Sequence, residues 1–565
     1  MFKSFRLAMT WVHTWFGLVL GFVLFVVFFF GSLSVFDREI DRWAIPETRF
    51  EPQPMPSYDS LLRPIFEAIE PDAAELAEAR DRVGGALEPR LPVMSYSAYT
   101  THRDPVLSLY AEFAVANNPR DPRDHVHGHV TIDPQRGQLV PHDRLKIGSE
   151  FFYPMHFSLH LSWKYVGYWI VGIAALIMLA ALVSGVVVHR KLFREFFTFR
   201  PQKNAGRSLL DLHNLTGVVA LPFHFMFALT GLIIFAGIYL PVTEVMFQPL
   251  ASAHERAAST AKGLALEPAG VASTPASVDA MVAEAKRRWA ARGMPGEVGY
   301  LSVHHPDDAN SYVSIYRAGS DRVTLVGQAI HFSGTTGEVL YAEPPLAPVS
   351  AINEFLTGLH LQHFEHWLLR WLYVFGGLSG CACIATGLVF FAGKRRRRHA
   401  AEGVSGARAV DALAVTAVTG TLIATLSMLV ANRLLPPDLP ERGAWEERLF
   451  WLSWLLAFGH AALRTATGRG AHLSPAWREQ CQAIAALALA APLLNWLTTG
   501  DHLARTMARG YWPVAGVDLS LLAVAGTATF AAVRLRRREI VARSPEAGGE
   551  AASAETPTPE AAAHG

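Results

Sequence analysis

The chain has 565 residues, 51% hydrophobic and only 18% charged, with 50 Lys and Arg against 49 Asp and Glu. A soluble domain of average composition carries about 25% charged residues, so the deficit points to uncharged stretches inside a bilayer, and the near-neutral balance argues against nucleic acid as a partner. Three cysteines, Cys381, Cys383 and Cys481, all lie in apolar runs and no Cys-x-x-Cys-His occurs, which excludes a disulfide framework outside the membrane and covalently attached haem.

Leu7–Phe36 is the first apolar run along the chain. It is too long for a signal-peptide h-region and no small-residue cleavage site follows, so it reads as a retained membrane helix. The polar segment Asp37–Lys164 comes next, then the apolar runs Tyr165–Val188 and Asn214–Thr243, a second polar segment Glu244–Arg370, and the run Trp371–Gly393. Ala412–Asn432, Leu449–Leu463, Gln480–Gly500 and Gly510–Val533 complete the series. Most of these reach the roughly 20 residues that cross a bilayer; Leu449–Leu463 is short, and Gly510–Val533 carries Asp518. The expected fold class is a polytopic α-helical membrane protein with about eight spans.

Lys3 and Arg6 precede the first span, Arg190, Lys191, Arg194, Arg200, Lys203 and Arg207 separate the second from the third, Lys394 to Arg398 follow the fourth, and Arg534, Arg536, Arg537 and Arg538 follow the last. All fall on one side if the N-terminus is cytoplasmic, which puts both termini inside and the two polar segments outside. Each polar segment reads as a small α+β unit; in the second, Val278–Arg292 has helical spacing and Ser311–Arg317 alternates like a strand. The tail Ala547–Gly565, rich in Ala, Pro, Glu and Thr, reads as disordered.

An internal repeat organises the first 400 residues. His13-Thr-Trp-Phe-Gly17 recurs as His213-Asn-Leu-Thr-Gly217, Gly31 as Gly231, the stretch Val130–Gly137 as Ile330–Gly337, and Leu159-His160-Leu161 as Leu359-His360-Leu361, each pair 200 residues apart. The unit is helix, external domain, helix. Two units of like orientation imply a pseudo-twofold axis along the membrane normal. The domains are therefore expected as 1–200 and 201–400, the two repeats, followed by a four-helix membrane module at 401–543 and the tail at 544–565.

An ionisable side chain in lipid must face the bundle interior and find a partner. Two imidazoles at one depth, one on each face of a macrocycle, are the ligand set of bis-His haem, and a pseudo-twofold supplies that arrangement. His13 and His213 are expected to meet near the cytoplasmic end and His160 and His360 near the external end, as axial ligands of two haem b groups. Gly17 and Gly217 then leave room for a flat ring; the plainer alternative is helix packing through glycine beside water-bonded histidines. His189 ends the second span and competes as an inner ligand. His224, eleven residues after His213, returns to nearly the same helix face about 16 Å deeper, the pattern of stacked haems, although Leu24 stands at its repeat position. His160 and His189 are about 43 Å apart along a helix, so His224 is also a candidate for an intermediate site. His363 and His366 share a face with His360; either could replace it as ligand or hydrogen-bond a propionate, and so could His156.

His125, His127 and His129 alternate, so a strand would set three imidazoles on one face and could bind a metal; a solvated loop beside Asp121, Arg123 and Asp124 is the favoured reading. Cys381 and Cys383 read as small buried residues.

With these motifs, and with His189-Arg-Lys-Leu-Phe-Arg-Glu-Phe-Phe-Thr-Phe-Arg-Pro followed by Leu212-His213-Asn214 and Leu221-Pro222-Phe223-His224, the chain resembles the PepSY-associated transmembrane helix family over about residues 1–400. The resemblance implies a bacterial inner-membrane protein with two PepSY-like periplasmic domains, tied to iron acquisition. Some members are similar to siderophore-iron reductases that carry haem b, which implies electron flow toward ferric siderophore or ferric chelate at the periplasmic face. His13, His189, His213, His224, His160 and His360 match the family's histidine positions; the C-terminal module departs from its minimal pattern. No GxGxxG or P-loop occurs in the cytoplasmic segments, so the donor is expected to be a separate cytoplasmic reductase or a membrane quinol. The rival expectations are a haem-free anchored protein that binds peptide or regulates a protease, and a transporter with its site at the repeat interface.

Overall fold

The structure is a computed structural model that describes residues 4–83, 87, 90–100, 104–115, 124–140, 144–188, 205–240, 257–324, 328–402, 406–467 and 474–543. His189, the basic residues from Arg190 to Lys203, Asp121, Arg123 and the tail at 544–565 lie outside the described residues.

In chain order the first half contains α1 (Phe5–Ser34), α2 (Asp37–Ala44), α3 (Ala73–Val83), β1 (Val93–Tyr99), β2 (Leu107–Ala114), β3 (His125–Ile132), β4 (Leu139–Val140), α4 (Tyr153–Phe157), α5 (Val166–Val188), α6 (Ala205–Val219) and α7 (Leu221–Ile234). The rest contains α8 (Val278–Ala291), β5 (Val298–His304), β6 (Tyr312–Arg317), β7 (Ala329–Ser333), β8 (Val339–Ala342), α9 (Pro348–Leu361), α10 (Trp367–Glu402), α11 (Gly406–Val415), α12 (Thr421–Leu434), α13 (Arg442–Thr467), α14 (Pro475–Thr499) and α15 (Trp512–Arg543).

Among the described residues six helices are long and apolar enough to cross a membrane, and seven if α6 and α7 are one bent span. The break between α6 and α7 falls at Ala220, two residues before Pro222, whose missing N–H and ring bar a regular helix there. The expected span Leu449–Leu463 lies inside α13, which is not one of the six. Its apolar run, between Arg448 and Arg464, is shorter than the roughly 20 residues a crossing needs.

The chain divides into two compact units. One comprises 30–182 and 221–378 and is built around an antiparallel sheet of order β4-β3-β2-β1-β5-β6-β7-β8. Two four-stranded meanders thus meet edge to edge through β1 and β5, whose register pairs Ser97 with Ser302 at its centre. Helices cover one face. In α8 the buried residues Val278, Met281, Ala285 and Trp289 recur at three- and four-residue spacing, the stripe of a helix lying on a core. They join Leu62, Phe66, Leu109, Ile132, Ile315 and Phe332 in one cluster. The hairpin stretches Val130–Gly137 and Ile330–Gly337 turn alike: Gly137 and Gly337 both take positive φ and donate N–H to the carbonyls of Asp133 and Ser333.

A reciprocal clasp ties the two halves of this unit. Asp279 accepts from the Ser57 hydroxyl (2.5 Å) and the Tyr58 N–H (2.8 Å). Asp59 accepts from the Ser277 hydroxyl (2.6 Å) and the Val278 N–H (3.1 Å). Each serine also caps its own helical start, accepting from the N–H of Ser60 or Ala280.

The other unit comprises 1–29, 183–220 and 379–565. Small side chains let its helices approach closely: Ala412, Ala414, Ala461 and Ala476 pack with Leu388, Val415 and Trp477. Polar groups inside it are linked. Thr419 donates to Gln480, which donates to the Ala457 carbonyl, and fully buried Glu446 lies between Arg442 (3.2 Å) and Asn432 (2.9 Å).

Candidate functional site

Two pairs of histidines come together, one pair in each unit. In the unit containing residues 1–29, His13 of α1 and His213 of α6 have ring centres 6.1 Å apart and planes at 78°. His13 Nδ1 lies 3.4 Å from the Ser184 hydroxyl of α5. His213 Nδ1 donates to the Cys383 carbonyl of α10 at 2.8 Å. Each ring sits against a glycine. A Cβ at Gly185 would stand 3.3 Å from His13 Cε1, and one at Gly387 would stand 3.2 Å from His213 Cε1. The expected ring-clearance glycines behave differently from each other: a Cβ at Gly217 would meet Cys383 Sγ at 3.2 Å, while one at Gly17 would meet nothing within 4 Å.

In the sheet-containing unit, His360 of α9 pairs with His156 of α4, their ring centres 5.9 Å apart and their planes at 28°. The Thr230 hydroxyl holds His360 Nδ1 at 2.8 Å. Glycine again makes the seat. A Cβ at Gly31 would be 2.7 Å from His156 and one at Gly231 would be 3.1 Å from His360.

His160 is not beside His360. The helix α4 ends at Phe157, and Leu159 and His160 take φ of 52° and 55°, so the chain turns out of helical geometry before the expected ligand. His160 instead donates Nε2–H to the Phe151 carbonyl at 2.9 Å and stacks on the Phe151 ring. His224 is buried with Nε2 3.2 Å from the Gly376 carbonyl. His363 is exposed in the link before α10, and His366 accepts the Leu369 N–H with Nδ1.

Sequence reasoning on a fixed offset missed Ser184, Gly185, Cys383 and Gly387 as the surroundings of the first pair. The signal for His156 was present in Gly31 and Gly231, which recur at the offset and turn out to be the seats of the second pair. In chemical terms, a hydrogen bond at Nδ1 fixes the tautomer and presents the Nε2 lone pair to a metal. Both pairs have the composition of a bis-imidazole site.

A family model described as "PepSY-associated TM region" matches residues 10–394. An uncharacterized protein of Pseudomonas aeruginosa is 25% identical over 385 residues, covering 65% of this chain and 90% of its own length. The matched region contains all four histidines of the two pairs.

Proposed function

We propose, for a chain that belongs to the PepSY-associated TM region family, that the paired histidines hold two haem b groups and that the protein carries electrons across a bacterial inner membrane to ferric siderophore or another ferric chelate at the periplasmic face. Ring spacing is the observation that supports this best. Two imidazoles bound to one iron through nitrogen have centres roughly 6 Å apart: about 2 Å of metal–nitrogen bond and about 1 Å from nitrogen to ring centre on each side. The pairs stand at 6.1 Å and 5.9 Å.

His13 with His213, and His156 with His360, would hold the haem groups. Haem when bound supplies one-electron chemistry. The chain's own residues orient the imidazoles through Cys383, Ser184 and Thr230 and keep side chains out of the ring seats by glycine. The donor in this reading is a cytoplasmic reductase or a membrane quinol.

The same reading takes residues 1–400 as a duplication. The reciprocal Asp59–Asp279 clasp, the Ser97–Ser302 pairing and the matching imidazole–glycine seats support it. Eight spans result if the six apolar helices are joined by the bent pair and by α13. Both termini are then cytoplasmic, and the two halves of the sheet are periplasmic PepSY-like domains.

The test is a reduced-minus-oxidised spectrum of the full chain purified from haem-replete cells. A b-type α-band is expected, with about half of it lost in His13→Ala/His213→Ala and about half in His156→Ala/His360→Ala, as two bis-His sites require. A colourless, folded preparation would overturn the reading and leave an anchored peptide-binding protein or a transporter.

A further inference from the structure

The face of β2 and β3 opposite the buried Val126 carries a second set of metal-ligand side chains, which adds a carboxylate to two imidazoles. His125 and His127 stand two residues apart on β3 and so project from one face. The β2–β3 register sets Glu112 directly opposite His127. One ligand atom each from Glu112, His125 and His127 lies within 4.8 Å of the others, and the two imidazole planes cross at 82°. Bonds of about 2.0–2.2 Å put the ligand atoms of a four-coordinate site roughly 3–3.5 Å apart, so side-chain rotation of about an ångström closes the set.

Two of the three ligands are already oriented. Glu75 of α3 approaches His127 Nδ1 to 3.1 Å and also accepts the His127 backbone N–H at 2.7 Å. That is the carboxylate–histidine contact that fixes a metal-binding imidazole with Nε2 outward. Ser95 of β1 donates to Glu112 Oε2 at 2.8 Å. The third imidazole of the alternating motif is diverted: His129 stacks on Tyr110 with ring centres 4.5 Å apart. The offset that relates the hairpins places Leu325 and Gly327 where the first half has His125 and His127, so this cluster belongs to the first half alone.

We infer that Glu112, His125 and His127 form a site for a borderline divalent transition-metal ion of the Zn2+ class, with one coordination position open to water or an incoming ligand. Two imidazoles and one carboxylate favour such ions over Ca2+ or Mg2+. The accessible position of His125 gives the ion a path in from solvent.

The experiment uses Zn2+ and the detergent-solubilised full chain, with metal per chain after dialysis and isothermal titration as readouts, so haem content does not enter the result. Wild type is expected to retain one Zn2+ more than His125→Ala/His127→Ala. His129→Ala is expected to bind like wild type, and Glu75→Gln to weaken binding about 10–100-fold, the usual cost of losing the partner of a metal-bound histidine. Equal Zn2+ stoichiometry in wild type and the double variant overturns the site, provided amide exchange shows β2 and β3 intact in both. So does equal loss of Zn2+ in the His129 variant.

Discussion

Gly31 and Gly231 lack side chains at points where imidazoles occupy the volume, with Cβ approaches of 2.7 Å and 3.1 Å. Gly31→Val is therefore expected to displace His156 and lower haem per chain toward one, measured as the pyridine haemochrome, whereas His160→Ala is expected to leave haem content unchanged. The reverse result would place the ligand at His160 after all. The outer pair was half legible in sequence because the offset drifts: it is 200 through the hairpins, but His360 follows His156 by 204. The turn at Leu159 and His160 is set by packing that spacing alone does not carry. A second residue-scale consequence concerns His304 of β5, which shares a hydrogen bond with Ser302 (2.9 Å) and stacks on Tyr312. Burial, then the neighbouring His305, push its pKa down from 6.5 to about 4, with Glu112 opposing and His331 adding to the effect. The unfolded chain takes up this proton from 6.5 downward and the folded chain only near 4, so the stability that His304 contributes is lost as pH falls through that window. Amide protection of β5 should drop over that range in wild type and less steeply in His304→Gln; identical profiles would refute the assignment.

Among the elements, those announced by periodicity formed nearly as expected. The helical spacing of Val278–Arg292 became α8, Val278–Ala291, and the alternation of Ser311–Arg317 became β6, Tyr312–Arg317. Sequence alone favours a solvated loop around His125, yet the segment is a strand, because Val126 is buried in the core while its neighbours face outward. The alternation of His125, His127 and His129 is legible in sequence, but the charged residues just before it favour a loop, and only the burial of Val126 decides for the strand. The clasp was invisible to pattern reading, since Ser-x-Asp at a helix start looks like an ordinary cap, and only the fold shows each Asp serving the other half's helix. Asp59→Ala strips a partner from the Ser277 hydroxyl and the Val278 N–H, a loss of about 1–3 kcal/mol. It should raise amide exchange in the first turn of α8, and Asp279→Ala should do so at Tyr58–Leu62. Exchange raised at only one end by both variants would argue against reciprocity.

Taken as a whole, the molecule combines a sheet of which β6 and the paired hairpin turns are legible in sequence with a helical unit whose polar interior is not. Glu446 sits in a stretch that hydropathy treats as the flank of a short span, yet the fold buries it completely beside Arg442 and Asn432. Removing one partner of a buried ion pair costs about 3–5 kcal/mol because the other charge stays behind. Glu446→Ala should lower the melting temperature in detergent clearly more than Glu446→Gln, which keeps a polar partner for Asn432; equal melting temperatures would show that water reaches Arg442. The seam between β1 and β5 has a consequence for ancestry. Cut there, either meander would present a naked strand edge, a surface that invites pairing with whatever strand is at hand. A polypeptide half this long would most simply satisfy that edge with a twin of itself, since an antiparallel join about Ser97 is self-complementary. On the duplication proposed above, fusion of two such genes would turn an association that depends on concentration into one built into a single chain, and would let the copies diverge, as His125 and His127 differ from Leu325 and Gly327 at the matching sequence offset.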